Sequence, residues 1–342
     1  MRARAGVIGL VAAGIVSAAS AQPRPSFDCA KATTAIEKAL CSDTEAADAD
    51  RKMAEAWRRL SESLSNPAAR AHLQRDQAAW LVDRQRICTA QSAQSTAGRK
   101  VPMCLRDLAA ARAERLATLP AGDAYPFVGE RRIVEQGRRG GMPYEIAVSF
   151  AVFEAPSVDY ARANASIKAW VDKFATSARP PTQPMPGAPG IGWFLESGHI
   201  VLVASRELVT VAAHWTMYSG GAHPNNGRLA WHVASTTGRE LGLDDVFNRA
   251  SGWREAVLAL ARADLKKQFE ERPGFEESLE PATLGKLLAE PRRWIFTHDK
   301  VILTFDPYEV GPYAAGPYEV ELSYAALSPY IRKDGPLAAR GR

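Results

Sequence analysis

Four cysteines, Cys29, Cys41, Cys88 and Cys104, fall in the first third of a 342-residue chain, and the remainder has none. A short segment with four cysteines is too small for a deep apolar core, so cross-links are expected to set its fold. No close Cys-x-x-Cys pair suggests a structural zinc site. The preceding residues agree with oxidation. Arg2 and Arg4 lead into an apolar run from Ala5 to Val16, and Ala19-Ser20-Ala21 forms a small-residue cleavage site. Residues 1–21 are therefore expected to be a signal peptide, leaving an exported, periplasmic chain that is soluble after cleavage. The apolar run is too short to span a bilayer, and no other stretch approaches ~20 apolar residues.

Charge excludes one class of partner. Residues 22–120 hold 16 Lys+Arg against 12 Asp+Glu, and residues 121–342 hold 25 against 26. Neither part has the concentrated basic surface of a nucleic-acid binder.

Residues 22–120 have helical spacing. Ser42-Asp43-Thr44-Glu45 fits a capping box opening a helix with Met53, Trp57, Leu60 and Leu64. Asn66-Pro67 breaks it, and a second helix is expected from Pro67 to Cys88. A polar loop, 91–100, leads to a third helix over Met103–Leu119. Antiparallel packing of the first two favours a nested pairing, Cys41 with Cys88 and Cys29 with Cys104. Gln77, Trp80, Arg84 and Cys88 form one stripe on the second helix, with Trp80 in the core and Arg84 tying helices together.

Phe27-Asp28-Cys29-Ala30-Lys31, Glu37–Asp43, the Gln77-x-x-Trp80-Leu81-x-x-Arg84 run and Cys88 resemble the LprI-type lysozyme-inhibitor domain over 27–119. Trp57 stands where that family usually has Tyr. The resemblance implies a small disulfide-linked helical domain whose partner is a lysozyme-like muramidase.

Beyond a linker at Pro120–Gly129, residues 121–342 alternate like a different domain. A hairpin (131–135 with 144–153), a helix over 158–176 and an exposed Pro-rich loop at 180–190 come first. Strands at 191–195 and 199–204, turning over Ser197-Gly198, follow. Val209 to Tyr218 and Leu229 to Val233 then alternate with period two and frame the loop Tyr218-Ser219-Gly220-Gly221-Ala222-His223-Pro224-Asn225. A helix from Ser251 to Phe269, a charged connector and strands at 294–297, 301–305 and 317–323 complete the pattern. The expected class is α+β overall: a disulfide-stapled helical domain, then an α+β domain with a mostly antiparallel sheet.

The Tyr218–Asn225 loop, Phe305-Asp-Pro-Tyr308-Glu-Val-Gly-Pro-Tyr313-Ala-Ala-Gly316 and Tyr318–Tyr324 resemble the C-terminal domain of RsiV-type anti-sigma factors over about 140–332. In that family the domain is the extracytoplasmic part that binds lysozyme. The resemblance implies a binding surface here, without a sigma-binding or transmembrane segment.

Site expectations follow from loop chemistry. Tyr218, Gly220, Gly221, His223, Pro307, Tyr308, Pro312 and Tyr313 lie in or beside Gly/Pro loops, where rigid amphipathic rings suit protein recognition. A hairpin register summing to 446 would set His214 opposite His232 as a candidate metal pair, whereas 444 separates them. Ser219 lacks the strand-to-helix context of a nucleophile elbow, so no catalytic residue and no cofactor is expected. The partner expected is a muramidase, with non-inhibitory binding of peptidoglycan or another envelope protein as the alternative. Lysozymes are usually cationic, which would favour an acidic surface on the inhibitor, and Glu270–Glu280 is the segment able to supply one.

Overall fold

The computed structural model describes residues 24–94, 101–183 and 192–340. The signal segment, the end of the 91–100 loop and most of the Pro-rich loop lie outside them.

Four helices come first: α1 (Ala35–Ser42), α2 (Thr44–Ser63), α3 (Pro67–Gln94) and α4 (Val101–Thr118). α1 was not expected. It starts at a full capping box, Thr34 accepting from the Glu37 N–H while Glu37 accepts from the Thr34 N–H. The N-cap of α2 is Asp43, which accepts from the Ala46 N–H at 2.9 Å, not Ser42.

The extra helix changes the disulfides. Cys29 pairs with Cys41 and Cys88 with Cys104, so the nested pairing Cys41–Cys88 and Cys29–Cys104 is corrected. Cys29 occupies a 3-10 turn just before α1 and folds back onto the last turn of that helix. Cys88 and Cys104 bridge the antiparallel pair α3 and α4. Both links are therefore local. Ile36, Leu40, Ile87 and Leu105 pack a small apolar cluster around the second.

The sheet region comprises β1 (Val128–Arg139), β2 (Met142–Phe153), α5 (Ala161–Ser177), β3 (Trp193–Ala204), β4 (Val209–Tyr218) and β5 (Asn225–Val233). These strands form one five-stranded sheet in chain order. All neighbours are antiparallel except β2 and β3, which run parallel with α5 as the crossover. β3 is continuous: Ser197-Gly198 makes no turn, because Ser197 pairs with Trp215 and Gly198 with His214. A Cβ on Gly198 would lie 2.6 Å from the His214 ring, so this glycine serves a close cross-strand approach.

The third part holds α6 (Leu243–Val246), α7 (Trp253–Glu271), α8 (Pro281–Leu288), β6 (Trp294–Phe296), β7 (Lys300–Phe305), β8 (Tyr318–Ser323) and α9 (Tyr324–Leu327). Its three strands form a separate antiparallel sheet, β6-β7-β8. The expected charged connector contains α8, begun by Pro281 at its first turn.

The two faces of the large sheet have different neighbours. Val211, Ala213, Leu229 and Trp231 join a continuous core with Met53, Leu73, Trp80 and Leu116 of the helices and Ile167 of α5. On the opposite face Ala212 and Ala230 meet Ile295 of the small sheet. Trp253, Leu265, Trp294, Phe305 and Tyr318 belong to a second large core around α7 and the small sheet. The layers are thus helices, large sheet, small sheet.

Candidate functional site

The expected loops meet. His223, between β4 and β5, stacks on Tyr313 with ring centroids 3.5 Å apart and planes at 18°. Its Nδ1–H donates to the Pro224 carbonyl (3.0 Å), leaving Nε2 to accept from the Tyr308 hydroxyl at 2.9 Å. Tyr308 and Tyr313 have centroids 5.9 Å apart, so three rings form one platform. Tyr308 is 55% exposed, the most exposed aromatic among the described large hydrophobics.

Local chemistry fixes both loops. Gly220 and Gly221 take φ of 96° and 100°, a region closed to most side chains. Tyr218 is buried. Its hydroxyl donates to the Gly221 carbonyl (3.0 Å) and its ring stacks on Phe194. Tyr218 therefore supports the loop from inside instead of offering a contact ring.

On the other side, the Tyr308 N–H donates to the Gly311 carbonyl (3.0 Å) and the Phe275 N–H to the Val310 carbonyl (2.8 Å). Glu309 accepts from both terminal nitrogens of Arg293, at 2.6 and 2.9 Å. Tyr308 has φ of 74°, an uncommon conformation for a residue with a side chain, held by these contacts. Pro307, Pro312 and Tyr313 are half-buried. The 3-10 turn Tyr313–Ala315 follows Pro312. Glu270, Glu271, Glu276, Glu277 and Glu280 are exposed, and the Phe275 bond ties their segment to the Tyr308 loop.

One residue beside the site was not singled out by the sequence reading. Asp306 lies against Gly227, where a Cβ would come 2.5 Å from the carboxylate. Burial, then the nearby Glu309, pushes the Asp306 carboxyl up to about 6. The signal was Gly227 itself, a glycine inside a strand, which marks close approach of another group.

The candidate histidine pair does not form. The observed register sums to 442, setting His214 opposite Arg228 and His232 opposite Thr210. The shift keeps the same residues on each face and shortens the loop, so alternation could not discriminate it. His232 is a buried strut between the sheets: Nε2–H donates to the Trp294 carbonyl (2.8 Å) and Nδ1 accepts from Thr210 (3.1 Å). Burial drives its pKa down to about 4. Among the described residues no group of three or more His, Cys, Asp or Glu is placed to hold a metal ion. No helix among them is long and apolar enough to cross a membrane.

Residues 29–116 match the family described as Lysozyme inhibitor LprI. Residues 244–325 match a family described as a protein of unknown function, DUF3298. The chain thus carries an LprI region followed by a DUF3298 region. The second match includes Tyr308 and Tyr313 but not the His223 loop. No curated protein matches the chain. Solved structures similar to it include a DUF3298 family member from Bacteroides fragilis, 15% identical, covering 63% of this chain and 96% of that chain, with a TM-score of 0.43. Another, from Pseudomonas aeruginosa PAO1, is 18% identical and covers 60% of this chain and 94% of that chain, with a TM-score of 0.40. The LprI match gives the helical region a lysozyme-inhibitor-like character, and its description is that of an inhibitor, not an enzyme.

Proposed function

We propose that this chain is an exported, periplasmic inhibitor of lysozyme-like muramidases, engaging them through the His223, Tyr308 and Tyr313 platform and its Gly/Pro loops. The observation carrying this reading is the convergence of two loops 85 residues apart on one half-exposed ring stack. Rings held by their own hydrogen bonds lose little entropy on docking, which favours a binder of a preformed cleft. The LprI match supplies the partner class. The acidic segment beside the platform suits a cationic partner, although the whole chain carries a formal charge of +5.

The test is a muramidase assay with the full chain, alongside pull-downs on muramidase and on purified peptidoglycan. The reading expects saturable inhibition and capture by the enzyme. Retention on peptidoglycan with no effect on lysis would replace it with a non-inhibitory envelope-binding role.

A further inference from the structure

Where the helices meet the large sheet, the seam is charged and buried. Arg112 of α4, fully buried, donates to Asp76 of α3 (2.7 Å), to Gln77 (3.1 Å) and to Glu130 of β1 (3.2 Å). One turn on, Arg115 donates to His199 Nε2 of β3 and to the carbonyls of Val128 (3.5 Å) and Gly129 (3.3 Å). A guanidinium can only donate. The Nε2 lone pair of His199 must therefore be free to accept, and the ring proton sits on Nδ1, which donates to Ser149 of β2 (3.0 Å). The geometry holds His199 in one neutral tautomer.

We infer that this seam is an acid-release latch with His199 as its trigger: a proton on Nε2 ejects Arg115 and loosens the LprI-matched helices from the sheet. The charges around His199 are weighted against its proton. Arg115 of α4 and Arg132 of β1 oppose it, Ser149 of β2 accepts from its ring, and Glu130 of β1, which favours the proton, is already held by Arg112, Arg115 and Arg132. Four guanidinium groups, those of Arg112, Arg115, Arg131 and Arg132, already face the two carboxylates of Asp76 and Glu130. Donors are in surplus too, since the buried Nε atoms of Arg115 and Arg132 have no hydrogen-bond partner. A protonated His199 would add one more donor and one more positive charge. His72, also at this seam, is likewise held below the ordinary histidine range by burial, with Glu154 3.6 Å from its Nε2, so the His199 variant is what separates the two.

The titration direction agrees with the geometry. Burial, then Arg115, holds His199 well below the ordinary histidine range. An unfolded histidine takes its proton near pH ~6.5 and the folded one resists, so the unfolded state binds more protons. Stability from this group is present above that pH and is lost as pH falls below it. One such proton raises the opening equilibrium constant by up to about tenfold per pH unit.

The test is amide exchange on the full chain at pH 7, 6 and 5, corrected for intrinsic rates, in wild type and in His199→Gln. The Gln carbonyl can still accept from Arg115 but takes no proton. Opening of α4 and β1 should steepen in acid by up to about tenfold per pH unit more in wild type than in the variant, while β6–β8 respond alike in both. Equal slopes at α4 and β1 would overturn the latch. Should the variant not fold, nitrogen NMR of the wild-type imidazole decides: His199 should remain the neutral Nδ1–H tautomer to pH 5. A folded protein with His199 cationic at pH 6 and an intact seam would rule the latch out.

Discussion

The large sheet is gripped on both faces, by opposite means. On one face the helices share an apolar core with the sheet and are also fastened by Arg112, Arg115, Asp76 and Glu130, a buried set of directional charge pairs that the other face lacks among the described residues. On the other, Ala212 and Ala230 meet Ile295, with Leu202 and Ile302 alongside, and shape does the fastening. Apolar contact is forgiving, because a lost methyl costs little and no charge is stranded. A buried ion network is not: each member is affordable only while every partner stays. Glu130 illustrates it. Burial alone would raise its carboxyl, but Arg132, Arg115 and Arg112 outweigh that and hold it well below the usual range. The charged seam therefore responds to pH and to single truncations, and the apolar seam to volume.

The largest effect should come from Arg112→Ala. It strands Asp76 and Glu130 in the interior, and breaking such a network costs about 3–5 kcal/mol by urea denaturation. If it cost as little as a surface change, the charged seam would not be what holds the helices. Next, Cys88→Ser with Cys104→Ser removes a link spanning 16 residues and should cost about 3 kcal/mol, felt by the helices before the small sheet. Ile295→Val should be the mildest, about 1 kcal/mol, and should not vary with pH between 5 and 7. A strong pH dependence in that variant would erase the distinction between the seams.

What the sequence disclosed was local. Period-two alternation located β4 and β5, glycines and prolines marked the two loops that meet at the ring stack, and Trp80 with Arg84 read correctly as a packing stripe, with Arg84 reaching Asp50 at 2.7 Å. Parity fixed which face each residue takes but not the length of the loop, so the hairpin register and the His214–His232 pairing were undetermined by it. The nested disulfide pairing fails because Thr34-x-x-Glu37 starts a helix that brings Cys41 back beside Cys29. The charged seam was invisible for another reason. Asp76, Arg112 and Glu130 are separated by 36 and 18 residues, and each alone looks like a solvated surface charge. Only the fold makes them neighbours.

The central claim is that the ring platform contacts a muramidase, and calorimetric titration of the full chain with that enzyme tests it most directly. Tyr308 is largely exposed and Tyr313 half-buried on a braced loop, so replacing either with Ala should leave the melting temperature almost unchanged. Affinity should fall by about tenfold or more in each, as it does for aromatic anchors at the centre of an interface. Unchanged affinity in both variants, with or without a lowered melting temperature, would contradict the account and return these tyrosines to the scaffold.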